Sequence, residues 1–275
     1  PEGDLVLAIG LDTVEPMPTP WLAEVPVITI EEHEPASTFV PTTVSLVGPV
    51  AELTAKLVAD DAGPSTRAWS STAGADALVA ARAALAACTN GTFGPLELAT
   101  ATARLVPADA TATVDAGAHF LSIMPFWPAQ APLDLLISNG LATMGFAVPA
   151  AIGAALARPG RPVVCMVGDG GLGMTLAELE TIARLQLPIT VVVFDDAALS
   201  LIEIKQRPGQ GGSNAVRFAP VDFAGVAAAM GLASAVVESV PELERALAGG
   251  WDRPRVIDAR IDPTAYRALI TTTRG

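Results

Sequence analysis

Short, wholly apolar runs alternate along the chain with longer segments in which apolar residues recur at helical spacing. Runs such as Val163–Val167 and Ile189–Phe194 are apolar throughout, which is typical of parallel strands that are buried on both faces of a sheet. Helical segments lie between these runs, and strand–helix–strand units form parallel pairs joined by right-handed crossovers. The pattern therefore predicts an α/β fold: a doubly wound, mostly parallel sheet with helices on both faces.

The apolar periodicity and the turn residues also place the individual elements. The predicted strands are 5–9, 25–30, 43–47, 111–115, 134–138, 163–167, 189–194, 233–237 and 255–259. The predicted helices are 49–60, 76–88, 95–105, 146–157, 174–185, 221–229 and 241–248.

A polar segment with Pro and Gly, residues 61–72, interrupts this pattern after a small βαβ-like region that looks incomplete. We therefore predict two domains, a partial α/β domain at 1–67 and a larger one at 68–275. The Gly-, Pro- and Ser-rich segment 207–214 is predicted to be a mobile loop near the ligand-binding edge of the larger sheet.

Composition and charge exclude several classes of partner. The net charge of -13 argues against nucleic acid and against anionic membrane surfaces, and no apolar run is long enough to span a bilayer. The two cysteines, Cys88 and Cys165, stand in apolar surroundings, so we expect both to be buried thiols in a reducing compartment. A cytoplasmic location is the expectation.

Acidic residues follow two of the predicted strands at the points where they end. Gly168-Asp169-Gly170 comes after one apolar run, and Asp195-Asp196 ends the next. Because ligands of parallel sheets bind outside the carboxyl ends of the strands, we expect these carboxylates to lie near a common ligand. Two carboxylates beside a diphosphate group describe a Mg²⁺ site, since Mg²⁺ prefers hard oxygen ligands shared with phosphate oxygens.

The same residues allow a different interpretation. Gly168, Gly170 and Gly173 fit G-x-G-x-x-G, and Asp195 stands where a dinucleotide-binding fold keeps its ribose-binding acid. Against a NAD(P)-type oxidoreductase, Asp169 inside the glycine loop would repel a pyrophosphate unless a divalent cation lay between them. A tight turn with solvated acids is the third interpretation, and the two acids at the second strand end count against it.

The arrangement Gly168-Asp169-Gly170, 24 residues and then an acidic pair resembles the signature of thiamine diphosphate (ThDP) enzymes, in which the pair is usually Asn-Asn or Asn-Asp. Residues 140–154 and 115–119 are similar to the corresponding segments of acetolactate synthase-like enzymes. The resemblance implies that residues 1–67 end a central domain. It implies that residues 68–275 form the diphosphate- and Mg²⁺-binding domain of an enzyme that decarboxylates or joins 2-oxo acids.

The resemblance also implies roles for individual residues. The side chains of Asp169 and Asp196 and the backbone carbonyl of Ala198 would bind Mg²⁺. Met144 would support ThDP in its bent form, the carbonyl of Ala142 would accept from the 4′-amino group, and His119 would lie near the diphosphate or the substrate. These three are the candidate catalytic residues. The residues implied in cofactor binding are Gly168, Asp169, Gly170, Gly171, Ala118, His119, Met144 and Asp196.

The resemblance finally implies partners. In this family a glutamate on a pyrimidine-binding domain activates ThDP, and no segment of this chain matches that domain. The chain begins with Pro1, almost directly at a predicted strand, so we expect a fragment or one subunit of a homo- or hetero-oligomer, a dimer or tetramer, with a pyrimidine-binding domain or subunit as partner. The substrate is expected to be a small 2-oxo acid. A non-catalytic ThDP-binding subunit and an FAD requirement both stay open.

The acceptor specificity of the resembling enzymes is a further open point. Acetolactate synthases that prefer larger acceptors carry Trp just before the glutamine that matches Gln206, and Lys205 stands in that place here. Strict acetohydroxyacid synthase activity is therefore not expected.

Overall fold

The computed structural model describes residues 4–11, 25–34, 41–59, 72–89, 91–206 and 215–274. The chain divides into two compact units, Pro1–Ala73 and Gly74–Gly275. The predicted domain boundary between residues 67 and 68 lies outside the described residues, as does the predicted mobile loop 207–214.

The first unit is a small parallel α/β sheet. Strands β1 (Val6–Ile9), β2 (Val27–Glu31) and β3 (Val44–Val47) pair in that order, and helix α1 (Val50–Ala59) follows. All three strands were predicted to within two residues at either end. Helix α1 begins one residue after Pro49, whose carbonyl accepts the first helical hydrogen bond from the N–H of Leu53 at 3.0 Å.

The second unit is built on six parallel strands. These are β4 (Thr111–Val114), β5 (Leu135–Ile137), β6 (Val163–Gly168), β7 (Ile189–Asp195), β8 (Ala233–Val237) and β9 (Arg255–Arg260). Their order in the sheet is β5-β4-β6-β7-β9-β8. From β4 the chain goes to β5 on one side, and from β6 it goes to β7 on the other. The switch point between β4 and β6 is where a ligand crevice is expected in such sheets.

Helices cover both faces of this sheet. They are α2 (Ala73–Ala86), α3 (Pro95–Leu105), α4 (Phe120–Ile123), α5 (Ala147–Ala157), α6 (Asp169–Met174), α7 (Glu178–Leu185), α8 (Ser200–Lys205), α9 (Phe223–Ala229), α10 (Val240–Leu247) and α11 (Ala265–Arg274). Successive residues of β6 point to opposite layers: Met166 packs with α3, α10 and α11, and Cys165 packs with α5, α7 and α9. The predicted doubly wound fold with helices on both faces is therefore confirmed.

Four helices were not predicted, namely α4, α6, α8 and α11. The single helix expected at 174–185 is replaced by two, because the backbone turns into α6 at Asp169 and α7 begins only at Glu178. Glycine-rich sequence has a low helix propensity, so the segment 169–174 gives no local signal. Burial of Leu172 in the core holds this turn instead.

Two smaller expectations have mixed outcomes. Cys165 is buried as predicted, but Cys88 is only half-buried, so the expectation for Cys88 was wrong. Its Sγ lies 3.4 Å from Oγ1 of Thr272, in contact with a polar neighbour rather than with the core alone. Across the described ranges, no helix combines the length and the apolar character needed to cross a membrane.

Candidate functional site

A cavity of about 220 Å³ opens where β4, β6 and β7 end. Its walls come from the segments that follow these three strands, at the switch point of the sheet. All ten residues predicted for the site line this one cavity: Ala118, His119, Ala142, Met144, Gly168, Asp169, Gly170, Gly171, Asp196 and Ala198. The structure thus brings these ten residues together around one cavity.

Asp169 links the end of β6 to the loop after β7. It is the first residue of α6 and is only 3% exposed. Its Oδ1 accepts a hydrogen bond from the N–H of Gly170 at 2.6 Å, and its Oδ2 accepts from the N–H groups of Asp196 at 3.2 Å and Ala198 at 3.3 Å. The three residues predicted to bind a metal are therefore adjacent.

The carboxyl groups of Asp169 and Asp196 both have raised pKa values. Burial, followed by the charges of Asp196 and Asp195, raises the pKa of Asp169 to about 7. Burial also raises the pKa of Asp196 to about 6, although the hydroxyl of Ser200 donates to Asp196 Oδ2 at 2.5 Å and opposes the shift. A divalent cation between them would stabilise both ionised forms.

The protein ligands available for such a cation are limited. Within the described ranges, no three His, Cys, Asp or Glu side chains are grouped so that they could hold a metal ion. Ala198, whose backbone carbonyl was predicted as the third ligand, lies beside Asp169, because its N–H donates to Oδ2 of Asp169. Two carboxylates and a carbonyl are all hard oxygen donors, and Mg²⁺ is commonly bound by few protein ligands together with water and phosphate.

Gly170 and Gly171, in the turn that follows β6, are packed tightly against their neighbours. A Cβ added to Gly170 would lie 2.5 Å from Cδ2 of Leu199 and 3.4 Å from Cε of Met144. A Cβ added to Gly171 would overlap the carboxylate of Asp115. Gly171 thus requires glycine because the Asp115 carboxylate beside it is fixed by hydrogen bonds. At Gly170, by contrast, the Leu199 side chain could move, and the sequence pattern did not reveal this difference.

Gly173, the third glycine of the alternative G-x-G-x-x-G pattern, behaves differently. A Cβ added there would meet no atom within 4 Å. In dinucleotide-binding folds the third glycine is needed for close packing of the helix against the strands. The geometry at Gly173 therefore does not support the dinucleotide interpretation.

His119 brings a neutral imidazole to the cavity wall. It is 4% exposed, its ring centroid lies 5.3 Å from that of Phe194, and the backbone carbonyl of Asp115 makes a hydrogen bond to the ring. Burial lowers the pKa of His119 to about 4, so the ring is uncharged at neutral pH. Its Nε2 is buried without a hydrogen-bond partner. Since buried polar atoms are nearly always paired, this nitrogen fits a site that a ligand completes.

Two alanines beside the cavity adopt the left-handed backbone conformation. Ala142 has φ of 44° and Ala197 has φ of 54°. A residue with a Cβ is disfavoured there, and such strain concentrates at ligand and active sites. Ala142 lies in the loop between β5 and α5, two residues before Met144, and Ala197 separates Asp196 from Ala198.

Several lining residues were not predicted. They are Ala116, Gly117, Phe194, Leu199, Ser200, Leu201, Ile202 and Tyr266. Ser200 could have been found, because it stands only four residues after Asp196 in the segment that follows β7. Tyr266 could not, since α11 reaches the cavity only through the tertiary packing against α3 and α4.

The fold and this site define a doubly wound α/β domain whose ligand crevice combines an acidic pair with a glycine turn at the switch point. Residues 115–259 match the family described as thiamine pyrophosphate enzyme, C-terminal TPP binding domain. The chain belongs to this family of ThDP-dependent, acetolactate synthase-like proteins, and the resemblance seen in the sequence is confirmed.

Individual relatives support the same assignment. The chain is 35% identical over 170 residues to acetolactate synthase of Bacillus subtilis (strain 168), covering 61% of this chain and 30% of that protein. It is 36% identical over 169 residues to the acetolactate synthase isozyme 1 large subunit of Escherichia coli (strain K12), covering 60% of this chain and 30% of that protein. The chain thus spans less than a third of the length of these relatives.

A solved structure shares the fold. The X-ray structure of a proposed thiamin diphosphate-dependent enzyme from Mycobacterium smegmatis superimposes with a TM-score of 0.67 and 22% sequence identity. The match covers 94% of this chain and 48% of that chain. At this identity the likeness supports the fold alone.

Proposed function

We propose that this chain supplies the Mg²⁺- and diphosphate-binding part of a ThDP-dependent decarboxylase or carboligase that acts on small 2-oxo acids. The observation that carries the proposal is the Asp169–Asp196 pair, two desolvated carboxylates that lie beside the glycine turn at the mouth of one cavity. Membership of the TPP-binding family supports the cofactor, and the acidic pair supports the metal.

The chain's oxygen donors fit a bound magnesium ion. Asp169 and Asp196 would bind it through their carboxylates, and Ala198 would bind it through its backbone carbonyl. Oδ2 of Asp196 accepts a hydrogen bond from the hydroxyl of Ser200, which orients that carboxylate. Gly170 and Gly171 would present their backbone to the diphosphate, and a cation held by the two carboxylates would offset its negative charge.

The remaining predicted residues orient the organic part of the cofactor. When bound, ThDP supplies the electron sink that allows the carboxylate of a 2-oxo acid to leave as CO₂. Met144 would support ThDP in its bent form, and the carbonyl of Ala142 would accept a hydrogen bond from the 4′-amino group of ThDP. His119 would lie near the diphosphate or the substrate. Its ring is neutral and its one N–H is bonded to the carbonyl of Asp115, so its unpaired Nε2 would accept from a donor group of the ligand.

The proposal includes partners. The acid that activates the aminopyrimidine would come from a pyrimidine-binding domain or subunit, within a homo- or hetero-oligomer. The substrate would be a small 2-oxo acid, and apolar side chains of Leu199, Leu201 and Ile202 would form the wall beside it. A cytoplasmic location stays a prediction.

Ligand-dependent stabilisation of the purified chain tests whether it binds ThDP through Mg²⁺. We expect a rise in the unfolding temperature with ThDP and Mg²⁺ together, and none with ThDP plus EDTA, because the metal must bridge the diphosphate to the acids. Thiamine without the diphosphate is the matched control and should give no shift. Stabilisation by NAD(P) but not by ThDP would overturn the proposal in favour of an oxidoreductase.

Catalytic turnover tests whether the chain contributes to decarboxylation of a 2-oxo acid. The chain is combined with a polypeptide that carries a pyrimidine-binding domain, and release of CO₂ from pyruvate is measured. We expect turnover only when both polypeptides, ThDP and Mg²⁺ are present. Tight binding of ThDP without turnover would instead identify a non-catalytic ThDP-binding subunit.

A further inference from the structure

Asp115 lies at a point where three parts of the site meet. It directly follows β4, is 0% exposed, and donates its backbone N–H to the carbonyl of Met166 on β6 at 3.0 Å. The cavity wall begins only at the next residue, Ala116. Its side chain therefore acts within the protein rather than on a ligand.

One side of the Asp115 carboxylate holds the segment that enters α5. Oδ2 accepts from the N–H of Gly145 at 2.9 Å, and Oδ1 accepts from the N–H groups of Phe146 at 2.8 Å and Ala147 at 3.2 Å. These donors have no partner inside the helix, and a negative charge at a helix start is favoured. Met144 is the residue before this anchored segment.

The other side of the carboxylate touches the glycine turn. Gly171 lies so close to Oδ2 and Cγ of Asp115 that a Cβ would overlap them. Gly145, at the entry to α5, also lies close to the end of α6. A Cβ added to Gly145 would lie 3.1 Å from Cγ2 of Thr175. The hydroxyl of Thr175 in turn donates to the carbonyl of Gly171 at 3.2 Å.

The backbone of Asp115 adds a third connection. Its carbonyl accepts a hydrogen bond from the imidazole N–H of His119 and so holds the ring in place. Burial raises the pKa of the Asp115 carboxyl, and the bonds from Gly145, Ala147 and Phe146 oppose that rise. The three amide donors are thus arranged to favour the ionised carboxylate.

We propose that Asp115 is a positioning residue that holds the segment carrying Met144 against the turn carrying Gly170 and Gly171. It thereby sets the spacing between the part of the site that supports the thiamine moiety and the part that takes the diphosphate. This inference rests on the proposed ThDP function. Asp115 itself contacts neither moiety.

The test replaces the carboxylate while keeping its shape. In Asp115→Asn one oxygen becomes an NH₂ group, which cannot accept from a backbone N–H, so at least one of the three bonds is lost. Because hydrogen bonds to buried charges are strong, we expect Mg²⁺-dependent ThDP affinity, measured by calorimetry, to fall by about tenfold or more. In the protein without ligand, ¹³C-methyl NMR should show a changed environment for the Met144 methyl group.

Asp222→Asn is the matched control. Asp222 also caps a helix and accepts from the N–H of Gly225 at 2.8 Å, and a Cβ added to that glycine would lie 2.4 Å from Oδ2 of Asp222. Unlike Asp115, it is exposed, and no residue of the helix that it caps lines the cavity. We expect this variant to lose stability while its ThDP affinity and its Met144 resonance stay unchanged. If Asp115→Asn does not fold, Asp115→Ser provides the same comparison with one acceptor retained.

A double-mutant cycle with Met144→Ala separates positioning from general destabilisation. If Asp115 acts through Met144, the loss caused by Asp115→Asn should be clearly smaller in the Met144→Ala background. Equal losses in both backgrounds, or wild-type affinity in folded Asp115→Asn, would overturn the assignment. Failure of the wild-type chain to bind ThDP would instead overturn the proposed function, and the NMR comparison without ligand would still decide the role of Asp115.

Discussion

Oδ2 of Asp169 accepts a hydrogen bond from the backbone N–H of Ala198 at 3.3 Å, across the gap between the ends of β6 and β7. This bond orients the loop after β7 so that Asp196 lies next to Asp169. The carboxylate is therefore both a structural acceptor and a candidate metal ligand.

Asp169→Ala should abolish Mg²⁺-dependent binding of ThDP. It removes one of the two carboxylates and leaves the N–H groups of Asp196 and Ala198 without their acceptor. Calorimetric titration with ThDP in Mg²⁺ checks this, with Asp109→Ala as the control because Asp109 is exposed and lies outside the cavity lining. Unchanged affinity in a folded Asp169→Ala protein would remove Asp169 from the site.

Asp196→Asn should be tolerated. The amide NH₂ group can donate to the hydroxyl of Ser200, and the amide oxygen is left as a ligand for the metal. The variant also removes a negative charge beside Asp169, which lowers the pKa of Asp169. We expect ThDP affinity in Mg²⁺ to stay within about tenfold of wild type, since one charge-assisted interaction is weakened. Complete loss of binding would show that Asp196 is misassigned.

Stability without metal should fall as the pH rises from about 6.5 to 8. The pKa values of Asp169 and Asp196 are raised from 3.8 to about 7 and about 6, so the folded protein holds protons that the unfolded chain has released. Stability is then lost as the pH rises through the folded pKa values, by on the order of 1 kcal/mol over this window. The lowered pKa of His119 acts in the opposite direction, and most of its effect lies below the ordinary histidine value of 6.5.

Thermal unfolding in EDTA at several pH values measures this effect. Asp169→Asn should flatten the profile, because the group with the largest raised pKa is gone. Mg²⁺ should also flatten it, since the ion favours the ionised pair. A wild-type profile in EDTA that is already flat between about pH 6.5 and 8 would contradict the assignment of the shifts.

Gly171→Ala should destabilise the fold, whereas Gly173→Ala should not. A Cβ at position 171 overlaps the Asp115 carboxylate and approaches Cγ2 of Val167 to 3.2 Å, while a Cβ at position 173 meets nothing within 4 Å. Overpacking of this kind costs about 1–3 kcal/mol. Removing a helical glycine without a clash gains about 0.5–1 kcal/mol. Urea unfolding of both variants checks the pair, and equal stabilities would contradict the packing at Gly171.

The sequence by itself determined the class of fold and part of the membership of the site. Apolar runs such as Val163–Val167 mark strands buried on both faces, and helices between them force parallel pairing. Because the carboxyl ends of parallel strands meet at one edge, residues as distant as Asp169 and Asp196 could be assigned to one site from the order of strands and helices along the chain. The family resemblance added His119, Ala142, Met144 and Ala198.

Only the tertiary structure decided how these residues are held. Local periodicity carries no information about which glycine touches which acid, so the contact of Gly171 with Asp115 could not be predicted. Nor could the early start of α6, which rests on burial of Leu172 rather than on helix propensity. Tyr266 reaches the cavity for the same reason: its position follows from the packing of α11, and long-range packing leaves no mark in the neighbouring sequence.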